Sequence, residues 1–235
     1  MTIINVLDHG FVKLRNIAGP TRRLDTVFDA SDVDVANAAR MSFEASDQDR
    51  SYDVEMKLNR YLLKHQHMTP FESIVVWLEM KMPIFVARQF VRHRTQSINE
   101  VSGRYVTLPS QWYIPAAIGG KAKDKKQGQE DNLPREIQSL VREVKQNHAE
   151  CGYAIYLKFL EYGVAPEHAR LVLGLNHYTH WLTTMNLRNL MHFLSLREEV
   201  HAQIEAQAYA SAIIQLLEPH IPGLVGLYKE LVRVN

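Results

Sequence analysis

The chain is poor in cysteine: Cys151 is the only one among 235 residues. That scarcity excludes an internal disulfide framework and any metal site built on a cysteine cluster, and leaves one thiol as a candidate nucleophile. Long apolar runs are missing too, none approaching the roughly 18 residues that would cross a bilayer. Neither sign of charge dominates, since 27 Lys+Arg stand against 26 Asp+Glu for a formal net charge of +1. A general nucleic-acid coat or a polybasic membrane binder needs a large excess of one sign, so the near-zero charge argues against both. The opening stretch MTIINVLDHGFVKLRN has no basic start, apolar run or small-residue cleavage site, and the expected setting is the cytoplasm. No G-x-G-x-x-G turn, no H-E-x-x-H helix and no internal repeat occurs.

What remains is an ordinary globular composition, 46% hydrophobic and 23% charged, of a size that one domain covers. Two short apolar runs, 2–7 and 11–17, flank Asp8-His9-Gly10 and predict a strand pair around a glycine turn. Ser31 and Ser51 each precede apolar residues at helical spacing and are N-cap candidates. In ESIVVWLEMKM, Ile74, Val76, Leu78, Met80 and Met82 alternate with Val75, Trp77, Glu79 and Lys81, the clearest strand pattern in the chain. Pro83 then suits a first helical position, so IFVARQFVRHR reads as a helix fed by that strand. Gly103 and Pro109 bound a segment expected to be extended. The run 119–132 holds nothing aliphatic larger than Ala122 and predicts a mobile surface insertion. A long helix is expected from Pro134 to Gly163, a short one from Pro166, an extended NHYTHWLTTMN, a helix capped by Asn186, and a last one reaching Pro219.

Chemistry concentrates after Pro83. Projected at 100° per residue, residues 84–93 place Ile84, Val86, Ala87, Phe90 and Val91 on one half of a helix and Arg88, Gln89, Arg92 and His93 on the other. No carboxylate shares that polar arc, whereas a merely solvated face usually mixes signs. Arg94 and Arg104 add guanidinium groups that pair well with phosphate or carboxylate oxygens. Ser97, Asn99, Glu100, Ser102 and Gly103 add short polar groups and a glycine past which a phosphate can approach the backbone. The residues alone therefore reach a nucleotide-like or phosphate-bearing ligand, and no reaction.

Arg92-His93-Arg94, seven residues and then Ser102, within RHRTQSINEVSGRY, resembles the signature of the flavin-dependent thymidylate synthases. The resemblance continues through AARMSF (38–43), HMTPFE (67–72), PIFVARQ (83–89), HARLVLGLN (168–176), MNLRNLMHFLSLR (185–197) and HAQIE (201–205), leaving only 119–132 clearly outside. It implies an α+β fold, helices around an antiparallel-rich sheet, over a single domain at 1–235. It also implies a methyltransferase that converts dUMP to dTMP, with 5,10-methylenetetrahydrofolate giving the carbon, NADPH giving hydride through FAD, and tetrahydrofolate released. The implied assembly is a homotetramer with active sites shared between subunits, which makes the absent glycine motif no objection.

Carried over position by position, the resemblance assigns His67, Thr69, Arg92, His93, Arg94, Glu100, Asn186, Leu187, Arg188 and His192 to FAD. It assigns Gln89, Phe90, Val91, Arg92, Glu100, Val101, Ser102, Gly103, Arg104, Arg170 and Arg197 to dUMP. Arg197 would be catalytic, promoting loss of the N3 proton by stabilising the developing anion. Nine residues from Arg188, it lies on the opposite side of an ideal helix, so its place in the site rests on the resemblance and on a second subunit as an open alternative.

Ser102 as a nucleophile needs an adjacent base, and only Glu100 and His93 are near in sequence, so phosphate binding is preferred. Cys151, in AECGYAIYL, reads as a small buried apolar residue. The histidines lack carboxylates at ligand spacing, so no metal is expected. Trp77, Trp112 and Trp181 read as core or interface, and Tyr153 and Tyr156 as the packing stripe of the long helix. Outside enzymes, a nucleic-acid module would use Arg88, Arg92, Arg94 and Arg104 on phosphates, but a neutral chain speaks against it. A flavin- and nucleotide-binding protein without turnover would keep the same residues.

Overall fold

Alternating apolar residues build the centre of the molecule. In the computed structural model, which describes residues 3–20, 30–44, 50–122 and 128–233, the chain opens with strands β1 (Ile3–Val6) and β2 (Gly10–Ala18). Helices α1 (Asp34–Arg40) and α2 (Tyr52–Lys64) follow, then strand β3 (Val75–Pro83), helix α3 (Ile84–Phe90) and strand β4 (Ser97–Glu100). A small hairpin, β5 (Gly119–Lys121) and β6 (Gln129–Asn132), leads to the long helix α4 (Arg135–Glu161) and the single turn α5 (Pro166–Ala169). Strand β7 (Tyr178–Asn186) and helices α6 (Leu187–Arg197), α7 (Ile204–Leu217) and α8 (Pro222–Leu231) complete it.

The main sheet has the order β1-β2-β3-β7-β4, with every neighbouring pair antiparallel. The α+β expectation is therefore met. Val76, Leu78, Met80 and Met82 of β3 face inward and join Leu190, Phe193, Tyr209, Ile213 and Leu224 from the helices in one apolar cluster. Burying such side chains supplies most of the driving force for this packing. The opposite face of β3 carries Glu79, which bonds Lys13, Arg15 and His180 on the two flanking strands.

Several local expectations change once packing is in view. The β1–β2 turn takes its left-handed residue from Leu7 (φ 59°) rather than from Gly10. Gly10 is needed for a different reason: a Cβ there would lie 2.0 Å from the Tyr209 hydroxyl. Ser31 does not cap α1. Asp34 N–H bonds the Ser31 carbonyl at 3.2 Å, so a turn comes first, and the Asp34 carboxylate accepts the Ser31 N–H at 2.7 Å. Ser51 is the N-cap residue of α2 without a side-chain bond, and Pro83 is the N-cap of α3, not its first residue.

Helix α3 is also shorter than its pattern suggested. It stops at Phe90, whose carbonyl accepts the His93 N–H at 3.0 Å in a turn and the Gln96 side chain at 2.8 Å. The stretch from Gly103 is a turn, not extended, since Tyr105 N–H and Val106 N–H both bond the Ser102 carbonyl. The segment 119–132 is bounded by the paired strands β5 and β6, so its ends are regular structure; residues 123–127, on which the expected mobility falls, lie outside the described residues. Helix α8, which opens on Pro-Gly-Leu, lies beyond the last helix expected from the pattern.

Other ends behave as their chemistry predicts. Asn186 caps α6, its side-chain oxygen accepting the Asn189 N–H at 2.9 Å. At the end of α4, Gly163 adopts φ 79°, while Gly163 N–H bonds Leu160 and Val164 N–H bonds Phe159, the paired closure that a left-handed residue permits. Cys151, expected to be buried, is exposed, because α4 turns toward the molecule the face bearing Ala149, Gly152 and Tyr156 instead.

Candidate active site

The site begins where β3 passes directly into α3. Two of the free N–H groups at the helix start, Ile84 and Phe85, bond the carbonyls of His177 and Leu175 at 2.9 and 3.0 Å. This main-chain capping fixes the direction of α3 and so the direction of the turn beyond it. In that turn Arg92 and Arg94 point to solvent while His93, between them, turns inward. Arg88, Arg92 and Arg94 form no hydrogen bond or ion pair among the described residues. A cluster of exposed guanidinium groups without counter-ions is an electrostatic cost that a bound polyanion relieves.

His93 packs edge-on against Phe193, ring centroids 4.8 Å apart, with His192 at 6.0 Å. Its Nε2 accepts the Nε–H of Arg197 at 3.0 Å, and the same guanidinium donates to the Gln89 carbonyl at 3.3 Å. Burial, then the charge of Arg197 and then His192, push His93 down to about 4 from its ordinary 6.5. The ring is thus neutral at physiological pH, with its proton on Nδ1 to leave Nε2 as an acceptor. Burial also lowers Arg197 from the usual arginine range. Among the described residues no carboxylate pairs with it, so a half-buried cation rests on neutral acceptors alone.

This contact sets Arg197 beside His93 within one chain. Helix α6 acts as a spine whose first turn sends Arg188 to Glu72, whose middle sends His192 toward His93, and whose last residue reaches the same histidine. Arg188 and Arg197 do lie apart, yet His93 lies within reach of α6 in the same chain. Thr69 opens the 3-10 turn that carries Glu72, and His67 follows α2 in an exposed group with Tyr61 and His65.

A second group lies along β4 and the turn after it. Gln96 accepts from Thr183, and β4 pairs with β7 from Ser97↔Thr184 to Glu100↔Trp181. The Glu100 carboxylate accepts the hydroxyl of Thr179. Val101 N–H then bonds the His180 carbonyl at 2.8 Å, and Ser102 Oγ accepts the Arg104 N–H at 3.3 Å. A Cβ on Gly103 would meet Leu108 Cδ1 at 3.0 Å and Arg170 Cδ at 3.3 Å, so Arg170 runs alongside this turn. Arg104 Nε sits 2.8 Å from Glu167. No hydrogen bond or ion pair joins this group to the Arg197–His93 pair among the described residues.

Two assigned side chains stay in the core: Phe90 packs on Phe193 and Tyr209, and Leu187 is 2% exposed. Val91 is half-buried beside them. Among the described residues no group of three or more His, Cys, Asp or Glu is placed to hold a metal.

Comparison with known proteins gives this arrangement a setting. The family model described as thymidylate synthase complementing protein matches residues 23–223. The chain is 39% identical over 219 residues to the flavin-dependent thymidylate synthase of Ehrlichia ruminantium strain Gardel, covering 92% of this chain and 69% of that one. It is 40% identical over 228 residues to an enzyme of the same name from Thermus thermophilus, covering 97% and 78%. The chain belongs to the flavin-dependent thymidylate synthase family. Its fold is likewise similar to a crystal structure of the UMP/dUMP methylase PolB from Streptomyces cacaoi bound with 5-Br dUMP, with 29% identity, a TM-score of 0.84, and 98% and 99% of the two chains covered.

In this member of the family, sequence reading passed over three polar residues that organise the neighbourhood. Gln96 lies inside the signature itself and holds both the end of α3 and β7. Glu167, one helical turn before Arg170, engages Arg104. Gln203 accepts from the Gln89 side chain. All three stand within or beside quoted motifs, Gln203 inside HAQIE, and that placement was the available signal; their partners were set only by the fold.

Proposed function

We infer that this chain is a methyltransferase that converts dUMP to dTMP with FAD. The observation that carries the reading is the Arg197–His93 pair, a half-buried cation with neutral partners, together with Arg88, Arg92 and Arg94, which have no partner among the described residues. Such a cation is poised for an anion. A uracil ring losing its N3 proton supplies one, and a guanidinium partly stripped of water stabilises it more than a fully solvated one would.

The residues fit a flavin dinucleotide. Arg92 and Arg94, lacking partners among the described residues, would take its pyrophosphate, with Arg188, Asn186, His192, Thr69 and His67 beside it. Asn186 commits its side-chain oxygen to the α6 cap, so its amide N–H groups are the part left for a ligand. When bound, the flavin would pass hydride from NADPH into the reaction. Neutral His93 keeps the Arg197 Nε–H occupied and the Gln89 carbonyl accepts from Nη2, so Nη1 is the terminal nitrogen without a partner among the described residues. Ser102, Gly103, Arg104 and Arg170 would hold the dUMP phosphate, and Gln89 and Glu100 the nucleoside. The remaining assignments, Phe90, Val91, Val101 and Leu187, would act through main-chain groups or local packing.

The same proposal includes 5,10-methylenetetrahydrofolate as carbon donor, a cytoplasmic location, and a homotetramer with shared sites. Supporting the assembly, α4 leaves Ile137, Leu140, Val144, Cys151 and Ile155 exposed along one side, and among the described residues no hydrogen bond or ion pair joins Ser102, Gly103, Arg104 or Arg170 to Arg197. Among the described residues no helix is long and apolar enough to cross a membrane.

The test is the visible spectrum of the FAD-reconstituted protein under anaerobic NADPH, with and without dUMP, followed by product analysis. Bleaching that is faster with dUMP and reversed by methylenetetrahydrofolate, with dTMP formed, is the expected result. Bound flavin that NADPH never reduces would leave a binding protein without turnover.

A further inference from the structure

We propose that Tyr153 and Tyr156 of α4 are positioning residues for the turn Ser102–Arg104, a role that rests on reading this turn as the dUMP phosphate site. Both hydroxyls engage a single residue: Tyr153 donates to the Leu108 carbonyl at 3.1 Å, and Tyr156 accepts the Leu108 N–H at 3.0 Å. Three residues apart on the helix, the two rings share a face and grip one residue from either side of its Cα.

Leu108 matters because of what its side chain touches. A Cβ on Gly103 would lie 3.0 Å from Leu108 Cδ1, so Leu108 forms the floor under the glycine past which a phosphate would approach. The turn is anchored upstream by Val101 N–H on the His180 carbonyl and downstream by this clamp; Arg104, Tyr105 and Val106 between them are exposed. The same helix also sets the position of Arg170. Gly152 lets α4 approach the Val172 carbonyl so closely that a Cβ would stand 2.8 Å from it, and Val172 ends the 3-10 turn that Arg170 begins. Gly152, Tyr153 and Tyr156 thereby hold both walls of the phosphate site in register from outside it.

Packing alone does not account for the two tyrosines. Tyr156 is fully buried and Tyr153 packs against Trp112 and His177, duties that phenylalanine would serve. Phenylalanine could not pair the N–H and carbonyl of Leu108. Neither tyrosine touches the ligand in this arrangement, so their effect reaches it only through Leu108.

The experiment uses FAD-loaded protein and the variants Tyr153→Phe and Tyr156→Phe, measuring binding of dUMP and of deoxyuridine, which lacks the phosphate, alongside kcat and KM. Losing one main-chain hydrogen bond predicts a dUMP Kd and KM raised roughly threefold to tenfold, with deoxyuridine binding, kcat at saturation and flavin content held within about twofold. Tyr153→Phe, at the less buried position, keeps the test open should Tyr156→Phe fold poorly. Unchanged dUMP binding in the folded variants overturns the proposal. Equal weakening of dUMP and deoxyuridine, or loss of flavin together with a lower Tm, also overturns it by reducing both residues to general support of α4. Wild-type protein that binds no dUMP overturns the nucleotide reading itself and this proposal with it.

Discussion

Arg197 donates its Nε–H to Nε2 of His93 across 3.0 Å, so a guanidinium that burial has partly stripped of water leans on an imidazole that burial keeps neutral. Each residue constrains the other. Protonating His93 would remove the acceptor and set two cations in contact.

The pair predicts a stability profile. His93 is held at about 4 in the folded chain against 6.5 when free, so the native state binds fewer protons between those values. Stability from this group is fully present above about 6.5 and is lost as pH falls toward 4. His177, also pushed down to about 4 by burial and then by Lys81, adds to the loss in the same window. Urea unfolding at about pH 7.5 and about pH 5 measures it, and His93→Gln, which accepts a hydrogen bond without titrating, should flatten part of the difference. An unchanged difference would remove His93 from the explanation.

Replacing Arg197 separates binding from chemistry. Arg197→Gln keeps hydrogen-bonding capacity and loses the charge, and kcat should fall by roughly a hundredfold or more, the scale of losing a preorganised stabiliser of a developing anion. Flavin content should stay near that of the wild type, since the arginines that would hold the dinucleotide are untouched. Turnover at saturating dUMP decides it, and a normal kcat would exclude Arg197 from the chemical step.

Assembly is predicted to depend on the outer side of α4. Exposed Leu140 and Val144 lie one turn apart, and the double replacement Leu140→Asp, Val144→Asp puts charge where apolar contact is expected. Sedimentation should show dissociation into smaller species with activity lost in parallel. Cys151→Ala, on the same side, should turn over normally; a folded but inactive alanine variant would reopen catalysis by the thiol.

Asp32 predicts a purely structural effect. Its carboxylate accepts the N–H groups of Gly223 and Leu224 at the start of α8, at 2.9 and 2.8 Å, and the hydroxyl of Tyr52 at 2.8 Å. Tyr52 is pushed up to about 12 by burial and by that carboxylate. Asp32→Ala removes the acceptor from three donors and should destabilise the fold by about 2 kcal/mol or more, read as a lower urea midpoint, with kcat unaffected in the folded fraction.

Much of this molecule was legible residue by residue, because its information is local. The alternation from Ile74 to Met82 requires a strand with one buried face, Asn186 and Gly163 carry their own cap chemistry, and Arg92-His93-Arg94 with Ser102 marks the family without reference to any contact. Other features depend on partners far away in sequence. Gln96 closes the end of α3, which stops earlier than its periodicity implied, Tyr209 explained Gly10, and Leu108 turned two apparently apolar tyrosines into hydrogen-bonding ones. Periodicity, capping and residue type act within a few residues, so the sequence by itself determined β3, α4, α6 and the chemistry they carry, but neither α8 nor the β5–β6 hairpin. Only the tertiary structure decided that Arg197 meets His93 within one chain, that Cys151 faces outward, and that α4 supports the turn at Gly103, because side-chain proximity across a fold is set by packing, which no local pattern encodes.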